Sequence, residues 1–337
     1  MSSDAMRNRM LAVITVILVI AGLRASYAVT MPLAAAVVVV AAIWPIKPWL
    51  DRALPSQLSY LGTILVLVLI SVGFIGAVYF STAQVVRAFA QNQEKFNQIY
   101  GSAMDWAARF GFQEFGGQEG YTRLIDFGQV LLSNVYTVLV YLGFIALLVI
   151  FGLPEVPALR SKLHGALNAA DRRQVIDTVD EIAEKVRQYL GVTALTSVLT
   201  GVASALWAFA VGLELALVWG VLNFLLNFIP IIGNIIGIIP PSVYAVIQFQ
   251  NVTMPLVVLV GFVVLQIAIS NFVYPMLQGR SLSLSPVAII VALTFWGWIW
   301  GVAGALIAIP LTAAIVIVCQ HFRSTEWIVR LLLRPKE

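Results

Sequence analysis

The stretch Asn227–Pro241, N-F-I-P-I-I-G-N-I-I-G-I-I-P-P, carries Pro230, Pro240, Pro241, Gly233 and Gly237 inside a long apolar region. Proline removes a backbone donor and clashes with the preceding helical turn. In hydrocarbon, a freed carbonyl costs several kcal/mol unless protein or a water-filled cavity satisfies it. Broken backbone of this kind is tolerated where helices interrupt around a solute or ion path. The plainer alternative is a kinked structural helix, since proline is common in membrane helices.

That reading needs a membrane, and the composition provides it. Hydrophobic residues make up 61% of the 337 and charged residues 11%. A soluble domain is about half apolar and a quarter charged. The apolar runs are too long and continuous for barrel strands, so the expected class is an all-α polytopic membrane protein. The net charge of +4 collects at span ends and tails, which fits membrane anchoring and not nucleic-acid binding. Cys319 is the one cysteine and reads as a packed side chain. Met10–Leu23, preceded by Arg7 and Arg9, imitates a secretory signal. A second run, Val29–Trp44, follows at once, and Arg24 sits where a cleavage region is uncharged, so an uncleaved helical hairpin is expected.

Six full spans are drawn at 10–26, 28–46, 59–83, 129–152, 191–211 and 254–273. Two more apolar regions, 213–249 and 286–318, are broken in the middle. The 33 residues of the latter would reach about 50 Å as one helix, too long for a core of about 30 Å. Two arms meeting at Gly301–Gly304 resolve this, and arms meeting at Pro230–Gly233 resolve 213–249. The count becomes about eight segments if each region crosses fully. Ile236 to Ser242 reads like Leu306 to Thr312, and each broken region follows one full span, which is the layout of an inverted repeat.

Positive charge orients the set. Arg7, Arg9, Lys47 and Arg52 place the N-terminus and the loop after the second span in the cytoplasm. The linker 153–190 carries six Lys or Arg, and the tail has Arg323, Arg330, Arg334 and Lys336. The expected organisation is N-terminal helices 1–83, an external amphipathic helix and loop 84–128, and a span 129–152. A cytoplasmic amphipathic linker 153–190, a transport core 191–318 and a basic cytoplasmic tail 319–337 complete it. In 84–110, Val85, Phe89, Phe96, Ile99, Ala103, Trp106 and Phe110 share a helical phase. In 171–190, Val175, Val179, Ile182, Val186 and Tyr189 do so.

Enzyme signals are poor. His164 and His321 have no metal-ligand company, no phosphate-binding loop occurs, and no cofactor or metal is implied. Intramembrane polar groups are costly and mark pathways. Those found are Asn223, Asn227 and Asn234 at the first break, then Ser242, Gln266 and Asn271, then Gln278 and Arg280, and Thr294 and Thr312 in the second region beside Pro310. The alternative is interhelical hydrogen-bond glue. Between Glu214 and Glu326 no carboxylate occurs, so Glu214 is the one candidate for proton coupling. Sodium could still be held by carbonyl and Asn oxygens.

With these residues in view, the chain resembles the autoinducer-2 exporter family of bacterial and archaeal membrane permeases. The resemblance rests on N-F-I-P-x-I-G at Asn227–Gly233 and I-I-G-x-I-P at Ile235–Pro240. It continues through Asn271, Pro275, Gly279, Arg280, Ser281, Leu284 and Pro286 to Ile309-Pro310. Asn234 stands where a proline is frequent, and Ser285 where a histidine is frequent. The resemblance implies a secondary transporter or exporter of small polar solutes, the type substrate being autoinducer-2. Some relatives are regarded as sodium/proton antiporters. It also implies the bacterial cytoplasmic membrane and a homo-oligomer such as a pentamer. A non-transporting scaffold is the remaining alternative.

Overall fold

The computed structural model describes residues 3–44, 50–52, 55–109, 135–166, 168–278, 284–321, 325 and 332. Among these, helices dominate and six are long and apolar enough to cross a membrane. The helices are α1 (Ser3–Ala25), α2 (Tyr27–Ile43), α3 (Ser56–Gln91), α4 (Gln93–Ala108), α5 (Val135–Ala166) and α6 (Ala169–Ala210). There follow α7 (Ala216–Leu226), α8 (Ile232–Phe249), α9 (Thr253–Ala268), a π-helical turn Ile269–Val273, α10 (Tyr274–Gln278) and α11 (Pro286–Gln320). Apolar side chains lie open on outward faces, as with Phe151, Phe209 and Met276. In water this would be costly; in lipid it costs nothing, since the acyl chains are as apolar as the side chains.

Two compact units partition the chain. One comprises Met1–Leu67, Tyr141–Leu190 and Arg280–Glu337; the other comprises Val68–Val140 and Gly191–Gly279. In the first, α1 and α2 meet at a 96° bend. This corrects the expected hairpin of antiparallel spans. Ser26 alone joins the two helices, whereas antiparallel helices need a connection of about two residues or more. The hydroxyls of Ser26 and Thr30 bond to the Gly22 and Leu23 carbonyls at 2.6 and 2.9 Å and hold the corner. Leu67, Val149 and Leu153 pack with Ala36 and Ile43 into a core of this unit.

The same unit holds the second broken region. Its helix α11 passes through non-helical backbone at Trp300 (φ −125°) and Gly301 (φ 64°, ψ −147°). That second conformation is open essentially to glycine alone, so the break falls at the Gly301 end of the expected Gly301–Gly304 window. Trp296 donates to the Thr312 hydroxyl across the break at 3.1 Å. Tyr189, Leu284, Ile309 and Val316 pack together, with Cys319 partly buried against them.

In the second unit, Phe89, Phe96, Trp219, Tyr244 and Phe262 build an aromatic core. Phe89 and Phe96 meet edge to face at 5.8 Å. They are two residues of the apolar phase expected for 84–110, and this face therefore covers its own chain. The helix is not separate from the third span, however. Helix α3 runs unbroken to Gln91 and turns at Asn92, whose side chain bonds to the Ala88 carbonyl at 2.9 Å. The glycine-rich loop expected at 111–120 lies outside the described residues. Helix α6 likewise joins the charged segment and the following span in 42 residues, about 63 Å at 1.5 Å per residue. Its charged first half must project from a core of about 30 Å. Val186 and Tyr189 are buried there, whereas Val175 and Val179 are exposed.

Candidate functional site

The first broken region comprises α7 and α8, joined by Asn227–Ile231. Pro230 withholds the donor that would continue α7. The chain then makes a γ-turn: Ile232 N–H donates to the Pro230 carbonyl at 2.7 Å, with Ile231 at φ 66°, ψ −62°. This hand of γ-turn is strained, and a β-branched residue with positive φ is an outlier. Among the described residues no backbone N–H bonds to the Asn227 or Phe228 carbonyl. The unwinding read from Pro230 is therefore a strained turn with freed carbonyls, not a smooth kink.

One side chain fastens the arms, and two glycines let them approach. Asn223, 1% exposed, donates to the Trp219 carbonyl at 3.0 Å and to the Gly237 carbonyl of α8 at 3.1 Å. A Cβ at position 237 would lie 2.5 Å from Asn223 Oδ1. At Gly233 a Cβ would overlap the Leu226 carbonyl. Both glycines are buried spacers that let the arms touch.

Asn227 points the other way, to α6. Its amide donates to Ser197 Oγ at 3.0 Å and lies 3.4 Å from Thr196 Oγ1, while Thr200 Oγ1 approaches its carbonyl at 3.5 Å. Thr193, Thr196, Ser197, Thr200 and Ser204 are all buried. Their spacing of three, one, three and four puts them on one helix face. That periodicity was present in the sequence, but hydroxyl residues look innocuous in an apolar helix because they bond to their own backbone, as Thr196 does to the Val192 carbonyl at 2.9 Å.

Asn234 faces a third element. Its amide donates to Ser270 Oγ at 2.9 Å, and Gln266 Nε2 lies 3.5 Å from the Asn234 carbonyl. Ser270 belongs to the π-helical turn, a distortion frequent at functional sites. Asn234 Oδ1 is buried without a hydrogen-bond partner among the described residues. Such an orphan acceptor calls for a reason.

The other expected residues lie elsewhere. Ser242 bonds to the Ile238 carbonyl at 2.8 Å and borders an apolar groove of about 350 Å³ with Val246, Pro255 and Leu259. Asn271 is exposed and bonds to the Ile267 carbonyl at 3.1 Å. Pro240 is half-buried within α8. Thr294 is exposed and bonds to the Ile290 carbonyl at 2.9 Å, whereas Pro310 and Thr312 are buried in α11. The Gln278 side chain and Arg280 lie outside the described residues. Glu214 is exposed, and the buried Tyr244 hydroxyl donates to its Oε2 at 2.7 Å. Gln248 straps the same loop, accepting from Glu214 N–H and donating to the Gly212 carbonyl, both at 2.8 Å.

A proline-broken hairpin is thus bracketed by a hydroxyl-lined helix and a π-helical turn. Residues 13–324 match the profile described as AI-2E family transporter. The chain belongs to the AI-2E transporter family. A putative transport protein of Haemophilus influenzae is 26% identical over 332 residues, covering 95% of this chain and 94% of that one. The AI-2 transport protein TqsA of Escherichia coli K12 is 31% identical over 202 residues, 60% of this chain and 58% of that protein. A sodium-lithium/proton antiporter of Halobacillus andaensis is 27% identical over 139 residues, 41% and 39% of the two chains. As an AI-2E family member, the protein is a multi-pass membrane transporter.

Proposed function

We propose that this AI-2E family protein is a secondary transporter that exports small polar solutes through the break between α7 and α8. The observation that carries the reading is the unwound, strained turn at Asn227–Ile231, whose Asn227 and Phe228 carbonyls, like the buried Asn234 Oδ1 close behind, find no hydrogen-bond partner among the described residues. A dehydrated polar solute needs groups of this kind to replace its lost water. The solute class follows the name of the Escherichia coli relative, an AI-2 transport protein. Proteoliposomes loaded with candidate neutral polyols, autoinducer-2 among them, test it. Efflux per folded molecule should fall when Asn227 or Asn234 is truncated; unchanged efflux in both variants would remove the pathway from this break.

One observation favours a second reading, sodium or lithium against protons. Glu214 is the lone carboxylate of the transport region and is held by Tyr244. Imposed sodium and proton gradients separate the two readings. In either, positive charge sets both termini and 153–190 on the cytoplasmic side of a bacterial inner membrane. The exposed Val175 and Val179, on the half of α6 that projects beyond the hydrocarbon, favour a homo-oligomer, for which a pentamer is the form the family resemblance implies.

A further inference from the structure

Arg24 is the one charged residue between Arg9 and Lys47, and α11 carries none. Its guanidinium lies 4.1 Å from the centre of the Trp298 ring and is exposed. Trp298 is itself 54% exposed. Neighbouring contacts fix the pair in place. The Trp300 indole N–H lies 3.2 Å from the Thr30 hydroxyl and 3.4 Å from the Leu23 carbonyl. The α1–α2 corner is thus clamped to the break of α11, and the stack belongs to a built corner of this unit.

A cation over an indole is attracted by the ring face, but that contact leaves the in-plane N–H donors unused. Among the described residues, no carboxylate pairs with Arg24 and no acceptor takes its N–H groups. An uncompensated guanidinium is costly in hydrocarbon and moves to the headgroup level. Along α1, Arg24 lies about 23 Å from Arg9 at 1.5 Å per residue, which suits opposite headgroup levels of a core of about 30 Å. A planar fork of donors at that depth matches the two free oxygens of a phosphodiester. Tryptophan is a residue of the same interfacial layer.

We infer that Arg24, stacked on Trp298 at the α1–α2 corner, binds the phosphodiester of a membrane phospholipid and so couples lipid headgroups to the break of α11. This site is separate from the polar break between α7 and α8 and does not depend on its role.

The full-length protein in mild neutral detergent is titrated with dioctanoyl phosphatidylglycerol, following intrinsic tryptophan fluorescence and thermal unfolding. Dioctanoylglycerol supplies the same chains without phosphate, and glycerol 3-phosphate supplies the phosphate without chains. The wild type should bind the phospholipid, with a raised unfolding temperature, and respond to neither control. Arg24→Gln should bind roughly tenfold more weakly, since one charge-assisted hydrogen bond exceeds the 1.4 kcal/mol of a decade. Trp298→Leu keeps the charge and should weaken binding by a smaller factor; it serves where Arg24→Gln fails to fold. Equal phospholipid affinity in wild type and the folded variants would overturn the site. A response to glycerol 3-phosphate equal to that of the phospholipid would also overturn it, by making Arg24 a site for soluble phosphates.

Discussion

The Asn223 amide donates to the Gly237 carbonyl at 3.1 Å, tying α7 to α8 across fourteen positions of chain. The contact is close enough that a methyl group at 237 would press on Asn223 Oδ1. Gly237→Ala should therefore destabilise the protein by about 1–3 kcal/mol through overpacking. Asn223→Ala should cost about 1–3 kcal/mol by leaving the Gly237 carbonyl short of a donor. Thermal unfolding in detergent of the single and double variants checks both. The double variant should cost less than the sum, because the steric conflict needs the Asn side chain.

Asn227 lies at the break and reaches Ser197. Asn227→Ala should lower transport per folded molecule roughly tenfold, a loss of about 1.4 kcal/mol. Ser197→Ala should act in the same direction and less strongly. Efflux from proteoliposomes, normalised to folded protein, measures it. A fall in stability with normalised transport intact would assign Asn227 to helix packing alone.

Ile231 holds a positive φ that a β-branched side chain disfavours. Strain of this kind is worth about 1–3 kcal/mol, part of which glycine returns through its unfolded-state entropy. Ile231→Gly should raise stability by about 1 kcal/mol while slowing turnover, if the strain serves the transport cycle. Pro230→Ala restores one donor but leaves the γ-turn, so its stabilisation should be smaller. Melting temperature and initial transport rate, read together, decide.

The Trp296 indole N–H has the Thr312 hydroxyl as its acceptor in a buried setting. Thr312→Val preserves shape and leaves that donor unpaired, for an expected loss of about 1–3 kcal/mol. Thr312→Ser should lose far less. Equal melting temperatures of the Val and Ser variants would mean that the bond contributes nothing net.

Glu214 accepts from Tyr244 at 2.7 Å. If it couples proton movement, Glu214→Gln should abolish the dependence of transport on an imposed pH gradient while gradient-free exchange persists. Tyr244→Phe should shift that dependence without removing it. A Gln variant with an unaltered response to the gradient would exclude Glu214 as the coupling group.

The sequence alone determined that this chain is helical and membrane-embedded, because long apolar runs with few charges have no other stable solution in lipid. It also located both breaks, at Pro230 and at Gly301, because the chemistry of proline and glycine is local to the backbone. Asn223, Asn227 and Asn234 were legible as costly polar groups in an apolar setting. Their division of labour was not. Tertiary structure gave Asn223 to the opposite arm, Asn227 to the buried hydroxyl face of α6 and Asn234 to the π-helical turn, since a partner distant in sequence is set by packing. The strain at Ile231 was equally hidden, because φ at one residue is imposed by how the two arms must meet. That α1 and α2 form a 96° corner and not a hairpin was likewise invisible in the apolar pattern, because it turns on where α1 ends and α2 begins about Ser26 and on the Trp300–Thr30 contact, which only the folded chain shows.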